Sequence, residues 1–211
     1  AQLQAMVKDL LGGGASADEP GGLLSDKWGL WARGNYSFGD KKPTDNAPSF
    51  KADGWGVIGG VDYRLTTSSV LGVSLGYGDN SVKFNSRRDG GLDTESWAAS
   101  VYGSWYATNN FYLDGIVNAS RIDYGARRSI TLVNNTGTFS SQALGKTDGV
   151  TLSGGISSGY DLVFGGLTLS PNLGVFYIDS TIDAFTETGA GGLNLRYDKQ
   201  TFKSLTSTVG L

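Results

Sequence analysis

From Trp28 onward the side chains alternate, and the alternation runs the wrong way round for a sheet in water. Trp55, Val57, Val61, Tyr63 and Leu65 share one face of a strand, while Gly56, Gly60, Asp62 and Arg64 share the other. Leu71, Val73, Leu75 and Tyr77 oppose Gly72, Ser74, Gly76 and Gly78. Trp97, Ala99, Val101 and Trp105 oppose Ser96, Ala98, Ser100 and Ser104. A soluble barrel fills its interior with bulky apolar groups and turns polarity outward. Gly, Ser and Asp cannot fill a dry core. The bulky face is therefore assigned to hydrocarbon and the small polar face to a wet or plugged lumen.

The same alternation gives eight strands: Trp28 to Ser37, Gly54 to Leu65, Val70 to Phe84, Thr94 to Ala107, Phe111 to Tyr124, Asp148 to Leu162, Leu167 to Thr181, and Leu193 to Leu211. Their connections alternate in length. Asp40 to Lys51, Asn85 to Asp93, Arg127 to Thr147 and Asp183 to Gly192 are long, with Arg127 to Thr147 the longest. Thr66 to Ser69, Thr108 to Asn110 and Phe164 to Gly166 are short. All long loops then lie at one end, as in outer-membrane barrels. The expected fold is all-β, an antiparallel up-and-down transmembrane β-barrel.

Aromatics fall toward the strand ends, at Trp28, Trp31, Trp55, Tyr63, Trp97, Trp105, Phe111, Tyr112, Tyr160 and Tyr177, which suits girdles at two membrane interfaces. Asp62, Arg64, Asp114 and Asp161 fall on the face assigned to the lumen. Charges there pair or stay wet. They either hold a plug, for example through Lys8 or Asp9, or pair within the wall or face water. Arg87-Arg88 and Arg127-Arg128 stand at loop bases, where they are either plain solvated charge or forks for lipopolysaccharide phosphates.

Composition closes off most chemistry. With neither Cys nor His, disulfides, thiolate metal sites and a Ser-His-Asp system are impossible, and no metal site or cofactor is expected. A net charge of −3 gives no field for nucleic acid. Gly54 to Gly59 matches G-x-G-x-x-G, but VDYRL continues a strand where a dinucleotide site needs a helix. No enzyme is expected.

Residues 1–26 differ from the rest. Leu3, Met6, Val7, Leu10 and Leu11 recur at helical spacing, and Gly12-Gly13-Gly14 ends the run. Gln2, Met6, Lys8 and Asp9 are taken as its pore-helix residues. A helix about 10–12 Å across does not fit an eight-stranded lumen, which side chains just fill. The Gly- and Ser-rich face instead suggests a wider, plugged barrel. TSTVGL lacks the closing aromatic common in outer-membrane barrels, so strands are expected beyond it. The domains are then 1–26, pore helix and linker, and 27–211, a C-terminally incomplete barrel.

The ordered series WGLWARGNYSFG, GWGVIGGVDYRL, VLGVSLGYGDN, SWAASVYGSWY, FYLDGIVNASRIDY, LTLSPNLGVFYID and SLTSTVGL resembles the β-domain of the autotransporters, the type V secretion proteins of Gram-negative bacteria. The resemblance implies a twelve-stranded outer-membrane translocator domain, eight of whose strands are present, with a helix running through its pore. It also implies an N-terminal passenger that is secreted and anchored at the cell surface. Outer-membrane lipid and lipopolysaccharide, periplasmic chaperones and the barrel-assembly machinery are the implied partners. Some relatives cut themselves at an Asn pair in the pore; no Asn precedes Asn35 here, so no such cleavage is expected. The competing reading is a stand-alone small outer-membrane barrel with a structural or adhesive role.

Overall fold

The computed structural model describes residues 27–42, 49–85, 90–108, 110–135 and 137–211. Its strands are β1 (Trp28–Lys41), β2 (Ser49–Thr66), β3 (Ser69–Asn85), β4 (Gly90–Tyr106), β5 (Phe111–Asn134), β6 (Gly137–Tyr160), β7 (Leu162–Phe164), β8 (Leu167–Leu169), β9 (Asn172–Ile182), β10 (Phe185–Thr186), β11 (Arg196–Tyr197) and β12 (Gln200–Gly210). Eight of them form one antiparallel meander in the order β1-β2-β3-β4-β5-β6-β9-β12, so each long strand pairs with its neighbours in the chain. Among the described residues β1 and β12 are the two edges of this sheet. No α-helix occurs among them.

Short turns at one end are built from hydroxyls. The amide of Ser68 donates to Thr66 Oγ1 at 3.2 Å, and those of Asn110 and Phe111 donate to Thr108 Oγ1 at 3.2 and 3.0 Å. At the same end β7 and β8 form a small hairpin closed at Gly165, whose φ of 61° suits glycine. This splits the seventh strand expected from Leu167 onward. Pro171 has no N–H to donate, and the main strand starts after it at Asn172.

The longest expected loop, Arg127 to Thr147, is instead ladder. β5 and β6 pair without a register break from Phe111↔Tyr160 to Asn134↔Gly137. Ile130, Thr131, Leu132, Val133 and Phe139 are β-branched, apolar or aromatic and favour extended backbone. The eighth strand is likewise shorter than expected, β12 being preceded by the two-residue β11.

Burial confirms that the sheet has one inner face and that this face is polar. The buried apolar side chains among the described residues are Ile58, Ile116, Ala143, Ile178 and Ala190. The buried polar set is larger: Asp62, Ser74, Ser100, Asn118, Ser120, Thr151, Ser153 and Glu187. Leu30, Val57, Val73, Leu75, Val101, Val117, Leu152, Ile156, Leu173 and Leu205 are exposed on the other face. Large apolar residues scattered over a soluble surface are ordinary, but a contiguous band with almost no apolar core behind it marks contact with lipid.

Candidate functional site

The functional surfaces of such a sheet are its two faces. On the outer face each strand carries an apolar run that ends abruptly at a charge. Toward the long-loop end Trp55, Tyr77, Trp97, Ala119, Val150, Tyr177 and Leu205 are each followed on the same face by Asp53, Asp79, Glu95, Arg121, Asp148, Asp179 and Lys203. Two pairs neutralise across strands, Arg121 meeting Asp148 at 3.1 Å and Lys203 meeting Asp179 at 3.2 Å, whereas Asp79 stands opposite Glu95. Below this collar the apolar run of β4, from Trp97 to Trp105, matches the roughly 9–11 residues that a tilted strand needs to cross hydrocarbon.

Aromatics stand at both borders. Trp55, Tyr77 and Trp97 pack side by side at the upper one, with ring centroids 5.4 and 4.9 Å apart. Trp28 and Tyr63 pair at the lower one at 4.7 Å, and Trp105, Phe111 and Tyr160 lie at the same end. Trp31 does not belong to this set. It stands one position out of phase with Trp28 and Leu30 and lies on the inner face. Its indole Nε1 donates to Tyr102 OH at 2.6 Å and to Asp62 Oδ1 at 3.3 Å.

The inner face is a wall of hydrogen-bonded small side chains. Gly60, Ser74, Ser100, Asn118 and Ser153 follow one another in register across β2 to β6. Ser100 Oγ donates to Asn118 Oδ1 at 2.9 Å, and Asn118 Nδ2 donates to Ser153 Oγ at 3.4 Å. One row away, the hydroxyls of Thr151 and Ser180 bond at 2.8 Å. Beside this belt Asp62 is fully buried and accepts a hydrogen bond from Tyr102 as well as from Trp31. The cluster requires glycine on the strands it crosses. A Cβ at Gly60 would strike the ring of Trp31, and one at Gly72 would overlap the ring of Tyr102.

The other expected lumen residues divide. Asp114 is on the inner face, half-buried, directly between Ser104 and Ser157 on the strands either side. Arg64 shares that face next to an irregularity in the β2–β3 register, with its amide bonded to Lys27 O at 2.8 Å. Asp161 is not in the wall. β6 ends at Tyr160, and Asp161 stitches two turns, its amide donating to Asn110 O at 2.7 Å and its carboxylate accepting from Ser170 Oγ at 2.7 Å. Arg127 and Arg128 are both taken by carboxylates, Asp93 and Glu187, rather than left as free forks. Gln2, Met6, Lys8, Asp9, Arg87 and Arg88 lie outside the described residues.

Sequence reasoning placed Ser100 on the inner face but missed Tyr102, Asn118 and Glu187. Tyr102 carried a usable signal, a bulky residue at a position where its strand otherwise places Ala and Ser. Glu187 carried none, since its partner is far away in the chain.

Comparison with known proteins agrees with this geometry. The solved translocator domain of autotransporter NalP from Neisseria meningitidis matches over 99% of this chain and 68% of its own, with a TM-score of 0.74 at 18% identity, a likeness of fold. Outer membrane protein B of Rickettsia prowazekii is 24% identical over 201 residues, which is 93% of this chain and 12% of that protein. An extracellular serine protease of Serratia marcescens is 29% identical over 194 residues, 90% of this chain and 17% of its own length. The adhesin BmaC autotransporter of Brucella suis is 26% identical over 182 residues, 82% of this chain and 5% of its own. The chain thus spans a small part of the curated relatives it matches. The profile of the autotransporter β-domain matches residues 30–211, and the chain belongs to that family of the bacterial outer membrane.

Proposed function

We propose that this β-domain secretes an upstream passenger through its lumen and anchors it at the outer face of the outer membrane. The observation that carries this reading is the inverted sheet, with Leu75, Val101 and Leu152 exposed outward and Asp62, Ser100, Asn118 and Ser153 buried inward. A wall of small polar groups tolerates any polypeptide sliding past it, whereas a packed apolar interior would not.

In this reading the eight strands are part of a closed barrel of about twelve. Support comes from the edges of β1 and β12, because unpaired backbone N–H and C=O groups cannot stay in hydrocarbon and a spanning sheet must close. Residues 1–26 supply a pore helix and linker. The exposed apolar band calls for chaperones in the periplasm and for the barrel-assembly machinery at insertion. The charged collar at Arg121, Asp148, Asp179 and Lys203 stands where lipopolysaccharide headgroups would lie. No reaction is assigned to the β-domain, and the proteolysis named for the Serratia relatives is theirs.

The test is cell-surface display. The full-length protein, tagged upstream of the β-domain, is expressed in a Gram-negative host. The tag is expected in the outer-membrane fraction and open to protease added outside. Recovery of the chain in the soluble periplasm would overturn the reading.

A further inference from the structure

The outer apolar runs of β5 and β6 end at Ala119 and Val150, yet their ladder continues to Asn134↔Gly137. At about 3.3 Å per residue, the part beyond Arg121 projects roughly 40 Å along the strands. A bare two-stranded ladder in water is marginal. This one is braced. The connection after β9 climbs the free edge of β6: the amide of Asp183 donates to Asp148 O at 2.9 Å, and Leu144 and Thr188 exchange amide bonds of 2.8 and 2.9 Å. β10 and β11 pair within that connection. Across Ala143, the guanidinium of Arg128 forks onto the carboxylate of Glu187, with Nε to Oε1 at 3.1 Å, and also donates to Leu193 O at 3.0 Å. Glu187 Oε2 accepts from the Leu195 amide at 2.9 Å as well, and the residue is 5% exposed.

Above this brace the ladder turns apolar on the axial side, the side that lower down is the inner wall. Ile130, Leu132 and Phe139 are there, with Leu132 and Phe139 directly opposite one another. These two are 50% and 52% exposed. The sequence from Ser129 to Gln142 carries no charge. This patch lies well above the charged collar, in water, so lipid does not account for it.

We propose that this axial face is a docking surface for the extended polypeptide of the upstream part of the same protein as it leaves the channel. Arg128 and Glu187 are the positioning pair that holds the face beside the exit. The proposal rests on the translocator reading above. Place and chemistry select the occupant. The chain ahead of Trp28 joins β1 at the short-turn end, so a segment threaded through the lumen emerges at the long-loop end, alongside Leu132 and Phe139. The matched relatives are many times longer than the part they share with this chain, so a long stretch of polypeptide passes this point. An unfolded segment presents apolar side chains and unpaired backbone. The ladder offers an apolar face to match them, with Leu132 and Phe139 half exposed on it.

The test uses the full-length protein in cells. A photo-crosslinking amino acid at position 132 is expected to capture the upstream segment early in a pulse-chase and to lose it as display completes. The same group at position 133, on the opposite face, is expected to capture far less. L132S/F139S is expected to slow surface appearance several-fold while the β-domain keeps its heat-dependent gel shift. R128E and E187R each slow it, and the R128E/E187R exchange restores it. Equal capture from both positions, capture of lipopolysaccharide or a second copy instead, or unchanged display in L132S/F139S would each overturn the proposal. A wild-type protein that displays nothing overturns the translocator reading instead, so the two failures are distinct.

Discussion

Asp62 has no exposed surface, and its carboxylate accepts hydrogen bonds from an indole N–H and a phenol. A buried carboxylate is tolerated when its lone pairs are filled, and removing one donor leaves the desolvation cost behind. Trp31→Phe keeps the ring over Gly60 but deletes that donor. It is expected to cost about 1–3 kcal/mol, read as a lower unfolding midpoint in detergent. An unchanged midpoint would show that the indole N–H contributes nothing. Glu187 is the other residue whose charge matters locally. Its ion pair with Arg128 holds the carboxyl below its usual value of 4.5, with the Leu195 amide adding to the effect. A depressed carboxyl contributes stability above its unfolded value, and that contribution fades as pH falls through the folded one. Hydrogen-exchange protection at Leu144 and Thr188, corrected for intrinsic rates, should exceed that of Glu187→Gln at neutral pH, and the gap should close in acid. A gap independent of pH would mean that the carboxylate charge is not what braces the ladder.

At the scale of elements, the strands owe their visibility in the sequence to a period of two that membrane and lumen both enforce. Leu71, Val73 and Leu75 against Gly72, Ser74 and Gly76 leave no other reading. The errors came where that enforcement stops. Beyond the hydrocarbon, Ser, Thr, Asn and Gly around Leu132 and Phe139 look like loop, because neither face of that ladder is held in lipid. Asp161 kept the parity of β6 but lay just past its end, a boundary that periodicity does not mark. Trp31 has the aromatic ring and strand-end position of a girdle residue, but its parity opposes that of Trp28 and Leu30. The same distinction between depths gives a prediction. Leu75→Arg, in the lipid-facing run of β3, should cost about 2–4 kcal/mol in refolding into lipid vesicles, as charge near the midplane does. Leu132→Arg, on the projecting ladder, should leave that refolding energy nearly unchanged. Equal costs would place the two residues in the same medium and remove the collar as the membrane border.

For the whole molecule the open question of physics is girth. Eight strands enclose a space that side chains just fill. The row Gly60, Ser74, Ser100, Asn118 and Ser153 is too small to fill it, and Tyr102 and Trp31 lie flat over glycines instead of reaching the axis. Closure of β1 directly onto β12 would therefore leave a hollow where an eight-stranded barrel has a core, whereas a wider barrel makes the same small groups a channel lining. Because the chain has no cysteine, engineered disulfides can decide between the two. Single cysteines at Ala32 or Gly34 in β1, combined with Thr201, Leu205 or Ser207 in β12, place thiols on the outer faces of both edges at several registers. In the full-length protein in membranes none of these combinations should oxidise to a disulfide, while Ala32→Cys with Gly59→Cys, partners across β1 and β2, should. A bridge at any β1–β12 register would mean that the two edges meet. The stand-alone small barrel would then displace the wide translocator, and the lumen would be too narrow for a helix about 10–12 Å across.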